Sequence, residues 1–277
     1  MVRFDAYTAT MRGAKPDDVA QLLFDQVGLG GKFETGRGFH QFGQRMSARS
    51  GDGHEVGAVS FGGKQGDLVM LEVKGEHSPA VVEALRARFE HKVTRADSCA
   101  DFDAPGAFSR LYRACRKVKK ARNVMGGKAG DWEDFPEKGR TLYLGAKSSP
   151  CRARLYEKGL QPEYVHLSRE NWVRLEVQIR PKGIKSGHAF SNLSALEVWG
   201  AGRWTRDIAA QVLQSHVDPH PAGTVYRMSE TDHKLWWMCK QYGGALVELA
   251  ADVGSWECVG LTIKEMIDQQ KRLHQGH

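Results

Sequence analysis

Three segments in the second half of the chain alternate polar and apolar side chains with the two-residue period of a β-strand. They span residues 92–102, 152–157 and 172–180, and apolar residues such as Leu155, Val173 and Leu175 fall on one face of each. A strand with one apolar face must cover that face with other elements, most simply helices packed on one side of an antiparallel sheet. This alternation predicts an α+β fold with a mainly antiparallel sheet and helices on one face.

The order of the remaining elements predicts a pseudo-repeat, because a strand, a helix and further strands occur in each half. The first half has predicted strands at 3–11, 55–61 and 68–74, a short one in the Gly-rich stretch 36–43, and helices starting at Pro16 and Ser78. The second half has a helix at about 106–122, a loop at 126–130 and a strand at 141–146. We therefore expect an N-terminal α+β lobe at 1–92, a catalytic α+β lobe at 93–215 and a helical region at 216–277. In that last region Thr262 and Glu265 fit a capping box at a helix start.

Composition excludes several classes of protein. The chain has 277 residues, 41% of them hydrophobic and 26% charged, which is enough to bury a core. The sequence has no apolar run near 18 residues, which argues against a membrane span. Its five cysteines include no Cys-x-x-Cys pair, which argues against a disulfide framework or zinc ribbon and for a reducing cytoplasm.

Positive charge is concentrated in one stretch of the chain. Residues 110–158 contain 14 Lys/Arg and 5 Asp/Glu, a net +9, whereas the whole chain carries +7. The rest of the chain is therefore close to neutral. Such a concentration fits a phosphate backbone, although a solvated basic surface is the alternative that charge alone leaves open.

The polar face of the three alternating strands carries carboxylates, arginines and a tyrosine. Its members are Arg95, Asp97, Cys99 and Asp101 on the first strand, Arg152, Arg154, Tyr156 and Lys158 on the second, and Trp172, Arg174, Glu176, Gln178 and Arg180 on the third. Phosphoryl transfer needs a nucleophile, cations for the phosphate oxygens and carboxylates for a hard metal ion. Since a tyrosine ordinarily ionises near a pKa of about 10, we expect Arg154 and Lys158, or a metal ion, to help Tyr156 ionise.

Four segments on these strands resemble, in order and spacing, the signatures of the replication initiation factor family. They are Arg95-Ala-Asp97-Ser-Cys-Ala-Asp101, Thr141-Leu-Tyr143-Leu-Gly145-Ala-Lys-Ser148, Arg154-Leu-Tyr156-Glu-Lys158 and Arg174-Leu-Glu176. Members are rolling-circle initiators of small plasmids and filamentous phages. The resemblance covers about residues 3–212 and is strongest over 94–180. It implies a curved sheet like the saddle of the TATA-binding protein, and it leaves the tail after Ser215 unassigned.

The resemblance also implies a mechanism. Tyr156 would nick origin DNA, forming a 5′-phosphotyrosyl link and a free 3′-hydroxyl primer, and a later strand transfer would close the displaced strand. The expected cofactor is Mg²⁺ or Mn²⁺, held by Asp97 and Glu176 with Asp101 as a third ligand. Arg154, Lys158 and Arg174 would neutralise the scissile phosphate. The residues expected to contact the DNA backbone are Arg113, Arg116, Lys117, Lys120 and Arg152.

The expected partner is origin DNA, double-stranded and single-stranded, in the cytoplasm of a bacterial host. A host replicative helicase and a second copy of the chain stay open as further partners. The competing function is a non-catalytic DNA-binding replication regulator derived from an initiator. The intact Tyr156, Asp97 and Glu176 favour the enzyme, and Tyr143 is the second choice for the nucleophile.

Overall fold

The structure of the chain, a computed structural model, describes residues 1–28, 32–51, 53–135, 138–223 and 230–274. It divides into two compact units, Met1–Val225 and Tyr226–His277. The division of the first unit into two lobes stays a prediction.

The first unit consists of two halves with the same order of elements. The first half contains β1 (Val2–Arg12), α1 (Pro16–Val27), β2 (Lys32–Arg37), β3 (Gln44–Arg49), β4 (Glu55–Phe61), β5 (Leu68–Lys74) and α2 (Ser78–Arg88). The second half contains β6 (Lys92–Asp103), α3 (Ala107–Ala121), β7 (Gly126–Ala129), β8 (Thr141–Leu144), β9 (Cys151–Glu157), β10 (Trp172–Ile179) and α4 (Ile184–Ser191). A short α5 (Arg203–Ile208) follows.

The strands form one antiparallel sheet in the order β2-β3-β4-β5-β1-β6-β10-β9-β8-β7. The first strands of the two halves, β1 and β6, pair at the centre, and each half adds its remaining strands outward in the same order. The sheet order thus confirms both the predicted antiparallel α+β class and the pseudo-repeat.

One face of the sheet is apolar and covered by helices. Leu23 of α1, Leu85 of α2 and Leu111 of α3 belong to the same buried core as Leu71 of β5 and Leu155 of β9. Helix α1 contacts β4, α2 contacts β1, α3 contacts β9 and α4 contacts β6. We call the opposite, polar face of the sheet the open face.

The second unit contains two helices that contact each other, α6 (Glu230–Val253) and α7 (Trp256–His274). Helix α7 begins about two turns before its predicted cap at Thr262. The backbone N–H of Cys258 donates to Ser255 Oγ at 3.2 Å, and Thr262 lies inside the helix with its hydroxyl donating to the Cys258 carbonyl. Among the helices that the structure describes, none is long and apolar enough to cross a membrane.

Candidate active site

Strands β6, β10 and β9 are neighbours, which places their polar rows side by side on the open face. Glu176 of β10 lies opposite Arg154 of β9, and Arg174 lies between Asp101 of β6 and Tyr156 of β9. Directly opposed residues of an antiparallel pair point to the same face. The side-chain alternation predicted for these three strands is therefore confirmed.

Two buried carboxylates, Asp97 and Glu176, form the first cluster on this face. The guanidinium of Arg154 donates to both oxygens of Glu176, at 3.0 and 2.9 Å. Asp97 accepts hydrogen bonds from Arg95 Nε at 2.9 Å and from Gln178 Nε2 at 3.1 Å. Burial, and next the charge of Asp97, raise the pKa of Glu176 to about 7, against the opposing pull of Arg154. Two like charges are thus held close together away from water.

This pair fits a divalent cation with few protein ligands. Mg²⁺ keeps several waters and is typically bound through one or two carboxylates and the substrate's phosphates. Burial is the largest cause of the raised pKa of Glu176, and a cation would relieve the second cause, the repulsion by Asp97. The described part of the chain contains no group of three or more His, Cys, Asp or Glu that could hold a metal ion. The fit therefore rests on Asp97 and Glu176.

Asp101 belongs to a different cluster, and its predicted role as a third metal ligand stays a prediction. Its Oδ1 accepts from Arg174 Nε at 2.7 Å and from Trp172 Nε1 at 2.9 Å, and its Oδ2 accepts from Arg174 Nη2 at 2.8 Å. Arg174 lies directly opposite Asp101 in the register, so the two side chains pair. The carboxylate is occupied by this guanidinium.

Arg174 itself does not face solvent. Its side chain is 1% exposed, and its third nitrogen, Nη1, donates to Asp5 Oδ1 at 2.6 Å. Nε, Nη1 and Nη2 thus each donate one hydrogen bond to Asp101 or Asp5. The contact of Arg174 with the scissile phosphate stays a prediction, and in this structure its hydrogen bonds hold Asp101 and Asp5 in position.

Tyr156 is buried between these two clusters. The Cζ atom of Arg154 lies 5.0 Å from the centre of its ring. Burial raises the pKa of the phenol well above its ordinary value, and the charge of Glu176 adds to the rise, while Arg154 and Arg174 lower it by less. Arg154 lowers the pKa of Tyr156, as expected, but burial and next the charge of Glu176 outweigh it. The contribution of a metal ion to its ionisation stays a prediction.

Lys158 follows β9 in a short 3₁₀ turn and is also buried. Its ammonium lies 4.4 Å from the ring centre of Tyr164 and 5.1 Å from that of Trp172. Burial, and next the charge of Arg174, lower its pKa. Its contact with the scissile phosphate stays a prediction.

Arg152 and Tyr143 complete the open face beside Arg154. Tyr143 of β8 lies opposite Arg154, and the Cζ atom of Arg152 lies 4.4 Å from the centre of the Tyr143 ring. The Nε of Arg152 is buried and has no hydrogen-bond partner. In contrast, the guanidinium groups of Arg154 and Arg174 are paired with carboxylates.

The basic residues of α3 lie away from this face. The apolar side of the helix packs on β9 and β10 through Phe108, Leu111 and Cys115, on the covered side of the sheet. The predicted DNA contacts on the helix, all exposed, are Arg113, Arg116, Lys117 and Lys120. A DNA segment contacting these residues therefore reaches the protein on the side opposite Tyr156.

Residues of the first strand contribute to the site, although the sequence did not single them out. Asp5 accepts from Arg174, and Arg3 donates to Asp101 Oδ2 at 3.3 Å. The one sequence feature that could have indicated these residues is the pseudo-repeat, because it makes the first strand of the chain equivalent to the strand that carries Asp97 and Asp101. Their pairing at the sheet centre, which brings Asp5 to the site, appears only in the structure.

The corresponding position of the first half has no tyrosine. Strand β4 of the first half corresponds to β9, and β5 corresponds to β10. Ser60 is the penultimate residue of β4, as Tyr156 is of β9. Ser60 lies opposite Met70 of β5, and Tyr156 lies opposite Arg174 of β10. Glu72 then corresponds to Glu176. Of these two equivalent positions, a tyrosine therefore occurs only in the second half.

Comparison with known proteins identifies the family. The model of the replication initiation factor family matches residues 91–242, which is more than half of the chain. The chain belongs to the replication initiation factor family. The match includes β6, β9 and β10 and begins at His91, so the first half lies outside it. No curated protein matches the chain significantly.

Among solved structures, the chain is similar to the rolling circle replication initiator protein from Geobacillus stearothermophilus. The two are 20% identical, the likeness covers 72% of this chain and 83% of that one, and the TM-score is 0.48.

Proposed function

We propose that this family member is a rolling-circle replication initiator that nicks and rejoins origin DNA through Tyr156. The observation that carries the proposal is the placement of Tyr156 on the open face between the carboxylate pair and Arg174. Nucleophile, carboxylates and guanidinium groups are the parts that cleavage of a phosphodiester requires. Membership of the family supports the same reaction.

In the proposed nicking step, the Tyr156 oxygen attacks the phosphorus of one DNA strand. A bond forms between that oxygen and phosphorus, and the bond from phosphorus to the 3′ oxygen breaks. The phenol loses one proton and the departing 3′ oxygen gains one, so the products are a 5′-phosphotyrosyl link and a 3′-hydroxyl primer. Attack by a 3′-hydroxyl on the phosphotyrosyl bond reverses the exchange and closes the strand.

The residues around Tyr156 would take distinct roles. The side chain of Arg154 is 43% exposed although it is paired with Glu176, so it can contact a phosphate from the open face. Arg174 would hold Asp101 and Asp5 in place beside the tyrosine. A Mg²⁺ or Mn²⁺ ion bound by Asp97 and Glu176 would supply positive charge beside the scissile phosphate.

Burial raises the pKa of Tyr156, so the phenol would be neutral in the free protein. A neutral phenol is a weak nucleophile, so the resting site would not attack DNA indiscriminately. Binding of origin DNA and of a cation would change the charges around Tyr156, and the phenol would then ionise only when the scissile phosphate is in position.

The proposal is tested with a supercoiled plasmid that carries the DNA flanking the protein's own coding sequence. With Mg²⁺, we expect nicked circles with protein attached to the 5′ end, and with EDTA we expect none. An unrelated plasmid of the same size is the matched control. Binding of the flanking DNA without any nick in Mg²⁺ or Mn²⁺ would instead identify the chain as a non-catalytic replication regulator.

A further inference from the structure

A small cavity on the open face is lined in part by Arg154, whose Cζ atom also lies 5.0 Å from the ring centre of Tyr156. Its volume is about 110 Å³, and its lining residues are Tyr143, Arg152, Ala153, Arg154, Glu176 and Gln178. A water molecule occupies about 30 Å³ in the liquid, and pockets for drug-sized ligands start near 300 Å³. The cavity is therefore too small for a free nucleotide and of a size to admit one planar ring.

The chemistry of the lining favours a nucleobase. Unstacked bases bind on aromatic rings and on the planes of arginine side chains. Tyr143 and Arg152 provide one surface of each kind and already stack on each other, with Cζ 4.4 Å from the ring centre.

The charge balance of the cavity points to a ligand with hydrogen-bond acceptors. Glu176 neutralises Arg154, whereas Arg152 makes no side-chain hydrogen bond or ion pair within the described ranges. A buried donor without a partner is unfavourable, and a small movement of Arg152 onto a ligand would satisfy it. Guanine offers two acceptors, O6 and N7, in the geometry that an arginine binds best.

The cavity is also placed to act on the proposed reaction. Arg152 precedes Tyr156 by four residues on β9, which corresponds to about 13 Å along a strand. A strand whose phosphate lies at Tyr156 would thus bring the base of a nearby nucleotide to Arg152.

We propose that Tyr143, Arg152 and Gln178 form a subsite for one nucleobase, preferably guanine, of a nucleotide close to the scissile phosphate. The inference rests on the proposed function and deepens it. Occupation of this subsite would fix the register of the DNA strand and so select the bond that Tyr156 attacks.

The experiment measures DNA affinity rather than cleavage, so that it can be read independently of the nicking activity. Tyr156→Phe protein is titrated with the shortest single strand from the flanking DNA that it binds, and with strands in which each nucleotide in turn lacks its base. We expect one position, a guanine, at which loss of the base weakens binding about tenfold.

Variants of the subsite identify where that base binds. In an Arg152→Ala background, the intact strand should bind about tenfold more weakly, and removal of the sensitive base should cost nothing further. Tyr143→Phe, which keeps the ring, should preserve the tenfold effect. Arg12→Ala removes an exposed arginine of the first half and serves as the matched control.

Two results would overturn the subsite: no single sensitive base, or a base effect of the same size in Arg152→Ala and in the control. A sensitive base together with an absence of nicking in the plasmid assay would overturn the proposed function while keeping the subsite. Failure to bind any single strand would overturn the subsite as well.

Discussion

On the open face, Arg154 and Arg174 are each paired with a carboxylate. Arg154 is held by Glu176 and Arg174 by Asp101, so neither guanidinium acts as a free charge on Tyr156. Burial then dominates the pKa of the phenol. A cation two residues from a tyrosine on the same strand therefore does not by itself activate it.

His91 shows the same dominance of burial on the covered side of the sheet. Its Nδ1 lies 3.0 Å from the Phe89 carbonyl, which can only accept, so Nδ1 carries the proton and Nε2 accepts from the Tyr7 hydroxyl at 3.0 Å. Burial, the largest cause, lowers the pKa of this histidine. The folded protein thus favours the neutral ring.

The pH dependence of stability follows from that lowered pKa. Below about pH 6.5 the unfolded chain binds a proton at His91 that the folded protein resists, so the free energy of unfolding falls as pH falls. We expect His91→Gln to be less stable than wild type at pH 7.5, and the difference to shrink at pH 5.5. Urea unfolding of both proteins at the two pH values measures this.

The control for that measurement is His166→Gln, because His166 is exposed. Its difference from wild type should be the same at both pH values. If the difference for His91→Gln also stays constant, His91 does not carry the lowered pKa that its burial indicates.

The exposed basic residues of helix α3 and the arginines of the open face lie on opposite sides of the sheet. Its apolar side covers β9 and β10, so Arg113, Lys117 and Lys120 project from the side opposite Tyr156. We therefore expect these residues to hold a DNA segment different from the one that Tyr156 attacks, and to hold it through phosphates rather than bases.

This assignment predicts a specific change in salt dependence. Replacing Arg113, Lys117 and Lys120 with Gln should reduce the slope of log affinity against log salt for origin duplex by about one unit per lost phosphate contact. The preference for origin over unrelated duplex should change little. Binding isotherms at several salt concentrations provide both quantities.

Lys32, Arg37 and Lys64, exposed in the first half, provide a matched triple replacement that should leave the slope nearly unchanged. Loss of origin preference with an unchanged slope in the α3 variant would mean that this helix reads bases.

The elements differ in how far they could be predicted. The limits of β4 and β5 follow from the strong two-residue periodicity of their sequences, and Pro16 and Gly28 mark the two ends of α1. The sequence predicts a loop in place of strand β7, because Gly126 and Gly127 have low strand propensity. The hydrogen-bonded pairing with β8 stabilises the strand in spite of that propensity. The prediction of a capping box at Thr262 is wrong because Ser255, about two turns earlier, caps the helix.

For the molecule as a whole, the sequence predicts which side chains share a face, but it does not predict their partners. Asp97, Asp101 and Glu176 all lie on the open face as the alternation requires. Their division into two clusters depends on register, which sets Arg174 opposite Asp101, and on Asp5, which arrives from the paired first strand. These are contacts between distant segments, and strand periodicity contains no information about them.

The two halves of the sheet repeat the same order of strands, but only the second half contains the residues proposed for cleavage, Tyr156 and Glu176. Ser60 and Glu72 occupy the positions that correspond to Tyr156 and Glu176. We therefore expect a single covalent link per chain.

The most direct test is to locate that link. The protein is incubated with Mg²⁺ and a single strand containing the nick site, the adduct is digested, and the modified peptide is sequenced by mass spectrometry. The account predicts a nucleotide on Tyr156, no adduct with Tyr156→Phe, and a normal adduct with Tyr143→Phe. A nucleotide on Tyr143 or any other residue, or an undiminished adduct with Tyr156→Phe, would contradict it.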